Sequence, residues 1–315
     1  MNIAIVGPGA MGLLMAGYLY KTKANLTLVD NVKEHADLLN RNGIRWEGLD
    51  SDIRFTVPVT VGLKDPENTD LLILCVKAYD TDAASRDLAR TGYRGPVLTL
   101  QNGAGNIEIL KQNLPDSPIM AGATSEGANL VDESHVRHAG KGKTEFGPVD
   151  AGRPGRNFME EVAELMRNAG INAALMAEPQ SLVWSKVLVN AGINPLTAIL
   201  RVQNGRLLEI EPARMLMRDL VLEGWEVFKR MKLKPAYTDP LARVEEVCRL
   251  TASNYSSMFQ DLAHARRTEI DFINGAIVQE GKRRGMLCPR NESVMRIIHS
   301  MEQLGKTEGP GNPGL

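Results

Sequence analysis

The sequence predicts an α/β protein in which an N-terminal, doubly wound parallel sheet is followed by an all-helical C-terminal domain. Three observations carry this. Short, almost wholly apolar runs at 2–6, 26–30, 71–76 and 97–100 have the composition of parallel strands buried on both faces. Helical patterns at about 10–22, 80–90 and 105–113 alternate with them, the order of βαβ units. From about residue 178 the pattern is helical almost throughout, with candidates at 178–194, 208–232, 238–250, 256–284 and 291–304.

The first run ends at Gly7-Pro-Gly-Ala-Met-Gly12, a helix follows, and the second run closes on Asp30. Strand, G-x-G-x-x-G, helix, strand and an acid about 20 residues on form a dinucleotide-binding fingerprint in its required context, which makes the sheet Rossmann-type. Gly7 permits the tight turn, Gly9 lets a pyrophosphate approach backbone N–H groups at the helix start, and Gly12 allows close packing of helix on sheet. With Ala10 and Met11 between them, and Asp30 and Asn31 at the end of the second strand, they are the candidate cofactor contacts. In such sheets ligands lie beyond the carboxyl ends of the strands. There the third run gives Lys77-Ala-Tyr-Asp80 and the fourth Gln101-Asn102-Gly103, so Lys77 and Asn102 are candidates for cofactor or substrate; by position alone either fits a solvated loop equally well.

Residues 121–147 hold five glycines among short apolar pieces, which suggests twisted edge strands or hairpins closing the first domain. A loop at 151–155, a helix at 157–169 and a strand at 171–176 follow. The expected division is 1–177 for the dinucleotide-binding domain and 178–305 for a helical substrate and catalytic domain. Residues 306–315 are expected to form a disordered tail, because the stretch from Gly305 onward contains four glycines and two prolines.

The most informative stretch is Trp184-Ser-Lys-Val-Leu-Val-Asn-Ala-Gly-Ile-Asn-Pro195. As a helix it sets Lys186, Asn190 and Asn194 at i, i+4 and i+8 on one face, while Val187, Leu188, Val189, Ala191 and Ile193 fill the others. A buried ammonium beside two amides is costly unless something binds them, so the stripe suggests a site, and Pro195 is expected to kink or end the helix. The same pattern also fits a lysine that reaches water and asparagines that cap a broken helix. On the helix predicted over 256–284, extended back to Asn254, helical spacing brings Asn254, Asp261 and Glu269 together with Ser257 at their edge. A carboxylate beside Lys186 would keep its amine charged, and an ammonium suits the protonation of an alkoxide formed by hydride transfer. Glu269 could equally form an ion pair with Arg266.

Composition excludes other classes. With 37 basic and 38 acidic residues the net charge is −1, so no global field draws the chain to nucleic acid or an anionic membrane. No apolar run approaches the roughly 20 residues of a membrane span, and Met1-Asn-Ile-Ala-Ile-Val enters a strand with no basic region before it. A cytoplasmic protein is expected. Cys75, Cys248 and Cys288 are odd in number and widely spaced, giving neither a disulfide framework nor a zinc site. His135 and His138 are read as loop or supporting residues, and no metal is expected.

Taken together, GPGAMG at 7–12, VKAYDT from Val76, LQNG at 100–103, the H-x-G-x-G-x-T-x-x-G run from His138 to Gly147, W-S-K-x-x-x-N-x-x-I-N-P-L-T-A from Trp184, and N-x-x-S-M-x-x-D followed by R-x-T-E-I-D-x-I-N-G resemble the ketopantoate reductase (2-dehydropantoate 2-reductase) family over nearly the whole chain. The resemblance implies NADPH-dependent reduction of ketopantoate to pantoate on the way to pantothenate and coenzyme A. It implies Lys186 as general acid and Glu269 as the carboxylate that binds the substrate hydroxyl and helps hold Lys186. Asn190, Asn194, Asn254 and Ser257 would line the substrate pocket, with Lys77 and Asn102 at the cofactor and the reacting centre. One position departs: Asp30-Asn31 stands where NADPH-using members often carry an arginine. An acid there favours the ribose hydroxyl of NADH, although Lys33 or Arg41 could supply charge. Reduction of another branched 2-oxo acid, or a nucleotide-sensing protein without catalysis, are the alternative functions. The apolar helical domain leaves faces through which a homodimer could form.

Overall fold

In the computed structural model, which describes residues 1–308, the first unit comprises Met1–Gln101 and Asn106–Gln180. Its strands are β1 (Asn2–Val6), β2 (Asn25–Asp30), β3 (Ile44–Glu47), β4 (Asp52–Phe55), β5 (Val59–Val61), β6 (Leu71–Leu74), β7 (Val97–Thr99), β8 (Ile119–Thr124), β9 (Gly127–Asp132), β10 (His135–Gly140), β11 (Lys143–Pro148) and β12 (Asn172–Leu175). Among the described residues, eight of these form one sheet in the order β12-β11-β8-β7-β6-β1-β2-β5. From β5 to β8 all pairs are parallel, and in order of appearance they run 3-2-1-4-5-6, the doubly wound Rossmann order. β1 and β6 are apolar and buried almost throughout, as strands covered on both faces must be. Val29, Val6, Leu74 and Thr99 stand in register, so the segments after β2, β1, β6 and β7 emerge side by side.

The helices of this unit are α1 (Ala10–Tyr20), α2 (Lys33–Asn42), α3 (Thr81–Arg90), α4 (Asn106–Asn113) and α5 (Arg156–Asn168). α1 is buried from Gly12 to Leu19, which fits a helix apolar on every side. Its outer face is covered by a second, four-stranded sheet, β4-β3-β10-β9. Trp46 of β3 lies so close over Gly17 that a side-chain carbon there would come within 1.9 Å of its ring, and its indole donates to the Leu14 carbonyl at 3.2 Å. Beneath it sits a buried polar cluster: Glu126 is 2.6 Å from His138 Nε2, accepts from Tyr18 at 3.1 Å and takes the Gly142 N–H at 3.2 Å.

Within 121–147 the expected edge hairpin is formed by β9 and β10, antiparallel with β9 at the edge of the second sheet, but the strands on either side of it lie elsewhere. β8 is fully buried and lies inside the large sheet between β7 and β11, while β9 and β10 pair with β3 and β4, two strands the sequence pattern does not announce. His135 and His138 belong to β10 rather than to a loop, and His135 is 3.0 Å from Glu47 of β3.

The second unit takes Asn102–Gly105 together with the chain from Ser181 onward, whereas a division near 177 was expected. Its helices are α6 (Pro179–Leu200), α7 (Arg206–Glu209), α8 (Glu211–Arg230), α9 (Pro240–Leu250), α10 (Ser257–Ala263), α11 (Asn274–Arg283) and α12 (Pro289–Glu308). Ala104 packs in the same core cluster as Val187, Leu188, Ala191, Ile270 and Ile277, and its N–H donates to the Phe272 carbonyl at 2.8 Å. The helix expected to end near 304 continues to Glu308; the remainder of the expected disordered tail, 309–315, lies outside the described residues.

Two helix expectations are corrected. α6 runs through Pro195 instead of ending there. A proline removes the N–H that would reach the carbonyl four residues back, and that carbonyl, Ala191, receives the Asn274 side chain at 3.2 Å instead. Asn274 is in turn bonded to Asn291 at 2.9 Å, and the Thr197 hydroxyl donates to Ile193 at 2.9 Å. The single helix expected over 256–284 is broken into α10, a 3₁₀ turn at Ile270–Phe272 and α11. Ala265 takes the left-handed conformation, at φ 51°, while its N–H reaches Leu262 and the Arg266 N–H reaches Asp261, the bonding that closes a helix. No helix among the described residues is long and apolar enough to cross a membrane.

Candidate active site

The glycine loop follows β1 directly. Its first residue donates its N–H to the Val29 carbonyl at 2.9 Å and holds φ +90°, where a side-chain carbon would lie 2.7 Å from the Val76 nitrogen; only glycine meets both demands. A side chain on Gly12 would come within 2.1 Å of the Gly7 carbonyl, so the helix start presses against the turn. At Gly9 such a carbon meets nothing within 4 Å, and this residue caps α1 without any side-chain bond. Ala10 and Met11 open α1 at its positive end, next to the room left at Gly9, which fits the pyrophosphate of a dinucleotide.

At the end of β2 the Asp30 carboxylate is buried. One oxygen accepts the N–H groups of Asn31 at 2.7 Å and Val32 at 3.1 Å; the other lies 2.5 Å from Nδ1 of His35 on α2. Asn31 itself is exposed. Lys33 is paired with Asp37 at 2.6 Å. After β6, Lys77 begins a 3₁₀ turn, Ala78–Asp80. Gln101, a residue the motif reading passed over, braces this turn: its amide donates to Val76 at 2.7 Å and Thr81 at 2.9 Å while it accepts from Thr99 at 2.8 Å. Asn102, next in sequence, is partly buried and falls with the second unit.

In the second unit α6 carries Lys186, Asn190 and Asn194 on consecutive turns, the stripe on which the sequence reading turned. Lys186 and Asn190 are partly buried and Asn194 buried. Burial pushes the Lys186 amine down to about 8, and the negative charge of Glu269 partly opposes that fall. Glu269, itself buried, precedes the 3₁₀ turn rather than sitting on a long helix. The backbone bond from Thr268 N–H to Glu302 at 2.7 Å fixes the preceding residue. Ser257 opens α10 and is exposed, whereas its neighbour Ser256 is buried, accepts the Phe259 N–H at 3.1 Å and receives the Thr197 hydroxyl at 2.8 Å. This bond ties the start of α10 to α6 one turn beyond Asn194. Asn254 lies in the loop before α10, exposed, its N–H bonded to Thr251 and its carbonyl to Asn204. The helical alignment expected of Asn254, Asp261 and Glu269 is therefore absent, because the segment is not one helix; Asp261 instead binds Arg266 at 3.2 Å.

A Rossmann-order sheet followed by a helical unit with a lysine lowered by burial has parallels among known proteins. Residues 3–151 match the family model described as ketopantoate reductase PanE/ApbA, and residues 179–302 match its C-terminal model. A 2-dehydropantoate 2-reductase of Halobacterium salinarum is 35% identical over 312 residues, 98% of this chain and 100% of that relative. A ketopantoate reductase structure from Ralstonia eutropha aligns with TM-score 0.88 at 26% identity, covering 97% of this chain and 100% of the other. D-mandelate dehydrogenase, in its ternary structure with NADH and anilino(oxo)acetate, aligns with TM-score 0.90 at 26% identity over 96% and 99% of the two chains. With both halves matched by the family's own models and a relative of this identity spanning the full length, the chain belongs to the ketopantoate reductase family.

Proposed function

We propose that this member of the ketopantoate reductase family reduces the C2 carbonyl of 2-dehydropantoate to the alcohol of pantoate, with Lys186 as the proton donor. A reduced nicotinamide, when bound, supplies the hydride. What falls to the chain's own residues is to hold the 2-oxo acid, to exclude water, and to place a proton on the carbonyl oxygen as it becomes an alkoxide. The observation that carries the reading is the Lys186 amine: brought down to about 8 by burial and countered by the Glu269 charge, it is protonated near neutral pH yet gives up its proton far more readily than a surface lysine. Asn190 and Asn194 on the same face of α6, with Asn102, Asn254 and Ser257, are read as donors and acceptors for the substrate's carboxylate and hydroxyl. Glu269 is read as the partner of the substrate hydroxyl, and Gly7–Gly12, Asp30, Asn31 and Lys77 as coenzyme contacts.

NADPH is the first reading for the coenzyme, following the family. NADH is the second, favoured by an acid rather than an arginine at the end of β2 and by the NADH in the D-mandelate dehydrogenase structure. That neighbour also keeps open a different 2-oxo acid as substrate. Steady-state assays following nicotinamide absorbance, with ketopantoate against other 2-oxo acids and each coenzyme in turn, rank the pairs by kcat/KM. For Lys186→Ala the expected result is a fall in kcat of about 10²–10⁴-fold with coenzyme affinity unchanged. Wild-type turnover in that variant overturns the assignment.

A further inference from the structure

The environment of His35 bears on which coenzyme the site accepts. Its Nδ1 is 2.5 Å from an Asp30 carboxylate oxygen, and its Nε2 is 2.8 Å from the Glu133 carbonyl in the turn between β9 and β10. Carboxylate and carbonyl are both acceptors, so a ring that makes both bonds carries a proton on each nitrogen and is a cation. When it loses one, one of the two contacts loses its hydrogen. The Asp30 side chain is only 6% exposed and that of His35 20%, so this pair is shielded enough for its charge state to be felt locally. Around it, β2 contributes Asp30, the β9–β10 turn contributes Asp132 and Glu133, and α2 contributes Lys33, Glu34 and Asp37. Lys33 is tied to Asp37, and Asp132 is bound to the Ser134 N–H and hydroxyl.

We propose that His35 sets how strongly the site discriminates between a ribose 2′-hydroxyl and a 2′-phosphate, by cancelling the Asp30 charge when doubly protonated and leaving it uncancelled when neutral. This rests on the reading that the glycine loop and the end of β2 receive the dinucleotide. Asp30 directly follows Val29, whose carbonyl holds Gly7, so the acid stands beside the loop. With the pair neutral, a phosphate of about −1.5 to −2 charge meets no net repulsion. With His35 neutral, Asp30 repels the phosphate and leaves the hydroxyl form unaffected. His35 thus acts as a positioning and specificity residue through Asp30, and an acid at this position no longer implies NADH by itself.

The test is calorimetric titration of the full chain, without substrate, with NADPH and NADH between about pH 5 and 8, where histidine changes charge. Wild type, His35→Gln and Asp30→Asn are compared. In the wild type the ratio Kd(NADPH)/Kd(NADH) is expected to climb with pH by about tenfold more than in His35→Gln, the scale of a partly screened like-charge contact. His35→Gln should hold the ratio high throughout, and Asp30→Asn should place it below the wild type at every pH. The second ionisation of the phosphate, near pH 6, is met by all three proteins, so each variant is read against the wild type at the same pH. Parallel curves for wild type and His35→Gln overturn the proposal. No binding of either coenzyme at any pH overturns the dinucleotide reading itself, and this proposal with it. A second measurement needs no variant: following the His35 ring protons by NMR, NADPH should raise the pH at which the ring loses its proton while NADH leaves it in place. Equal effects of the two coenzymes also count against it.

Discussion

At the scale of single residues, the proposed chemistry rests on Lys186. Its amine falls from an ordinary 10.5 to about 8 because burial penalises the charged form, and Glu269 limits the fall. Two signs follow. In the proposed role the Lys186 ammonium is lost as pH rises through about 8, so kcat/KM for reduction should decline on the alkaline side from there. In Glu269→Gln the opposing charge is gone, so the decline should begin at lower pH; a pH–rate profile that does not move in this variant would show that the two groups act independently. For stability, the native state releases this proton before the unfolded chain does, so between about 8 and 10.5 the contribution of Lys186 becomes more favourable as pH rises. The stripe Lys186, Asn190, Asn194 and the glycine loop were legible in sequence because each is set by local spacing. Gln101, Ser256 and His35 were not. Each works through contacts with partners on other segments, and polar residues in loops, at caps or on an exposed helix carry no pattern of their own.

At the scale of elements, α6 shows why a proline rule fails in context. Pro195 frees the Ala191 carbonyl, and the group that satisfies it comes from Asn274, 83 residues along the chain; no window of local sequence contains both. Asn274→Ala should strand that carbonyl and remove the bond to Asn291, costing about 1–3 kcal/mol in denaturant unfolding. Since α6 carries Lys186, kcat should drop as well, and a variant equal to wild type in both would remove the brace from the account. The break after α10 was hidden for a different reason. Ala265 turns the chain without glycine or proline, and the apolar spacing of Leu262, Ile270 and Ile273 continues across the break as if the helix did. Strands β1, β2, β6 and β7 were legible because burial on both faces leaves an unbroken apolar run, whereas β3 and β4 alternate charged with apolar residues over four positions each and resemble loops.

At the scale of the whole molecule, the fold class followed from the alternation of apolar runs and helices, while the small second sheet and the membership of Asn102–Gly105 depended on contacts distant in sequence. The second sheet is fastened to α1 through Glu126, whose carboxylate meets His138, Tyr18 and the Gly142 N–H. Burial and the Glu126 charge both raise the Tyr18 hydroxyl well above its usual range, so that phenol remains a donor. Glu126→Ala removes the acceptor that Tyr18, His138 and the Gly142 N–H share, at a cost of about 1–3 kcal/mol. A lowered melting temperature checks this, and an unchanged one would show the cluster to be dispensable.

The chain passes from one unit to the other at Gln101–Asn102, returns at Gly105–Asn106 and leaves again at Gln180–Ser181. A ribosome therefore finishes the Rossmann sheet long before it makes the helices that Ala104 will join, and that tetrapeptide must wait for Phe272 to emerge. Cutting the gene once, between codons 180 and 181, cannot yield two self-sufficient halves: the downstream product would lack Ala104 from its apolar cluster, and the upstream product would carry an orphaned loop.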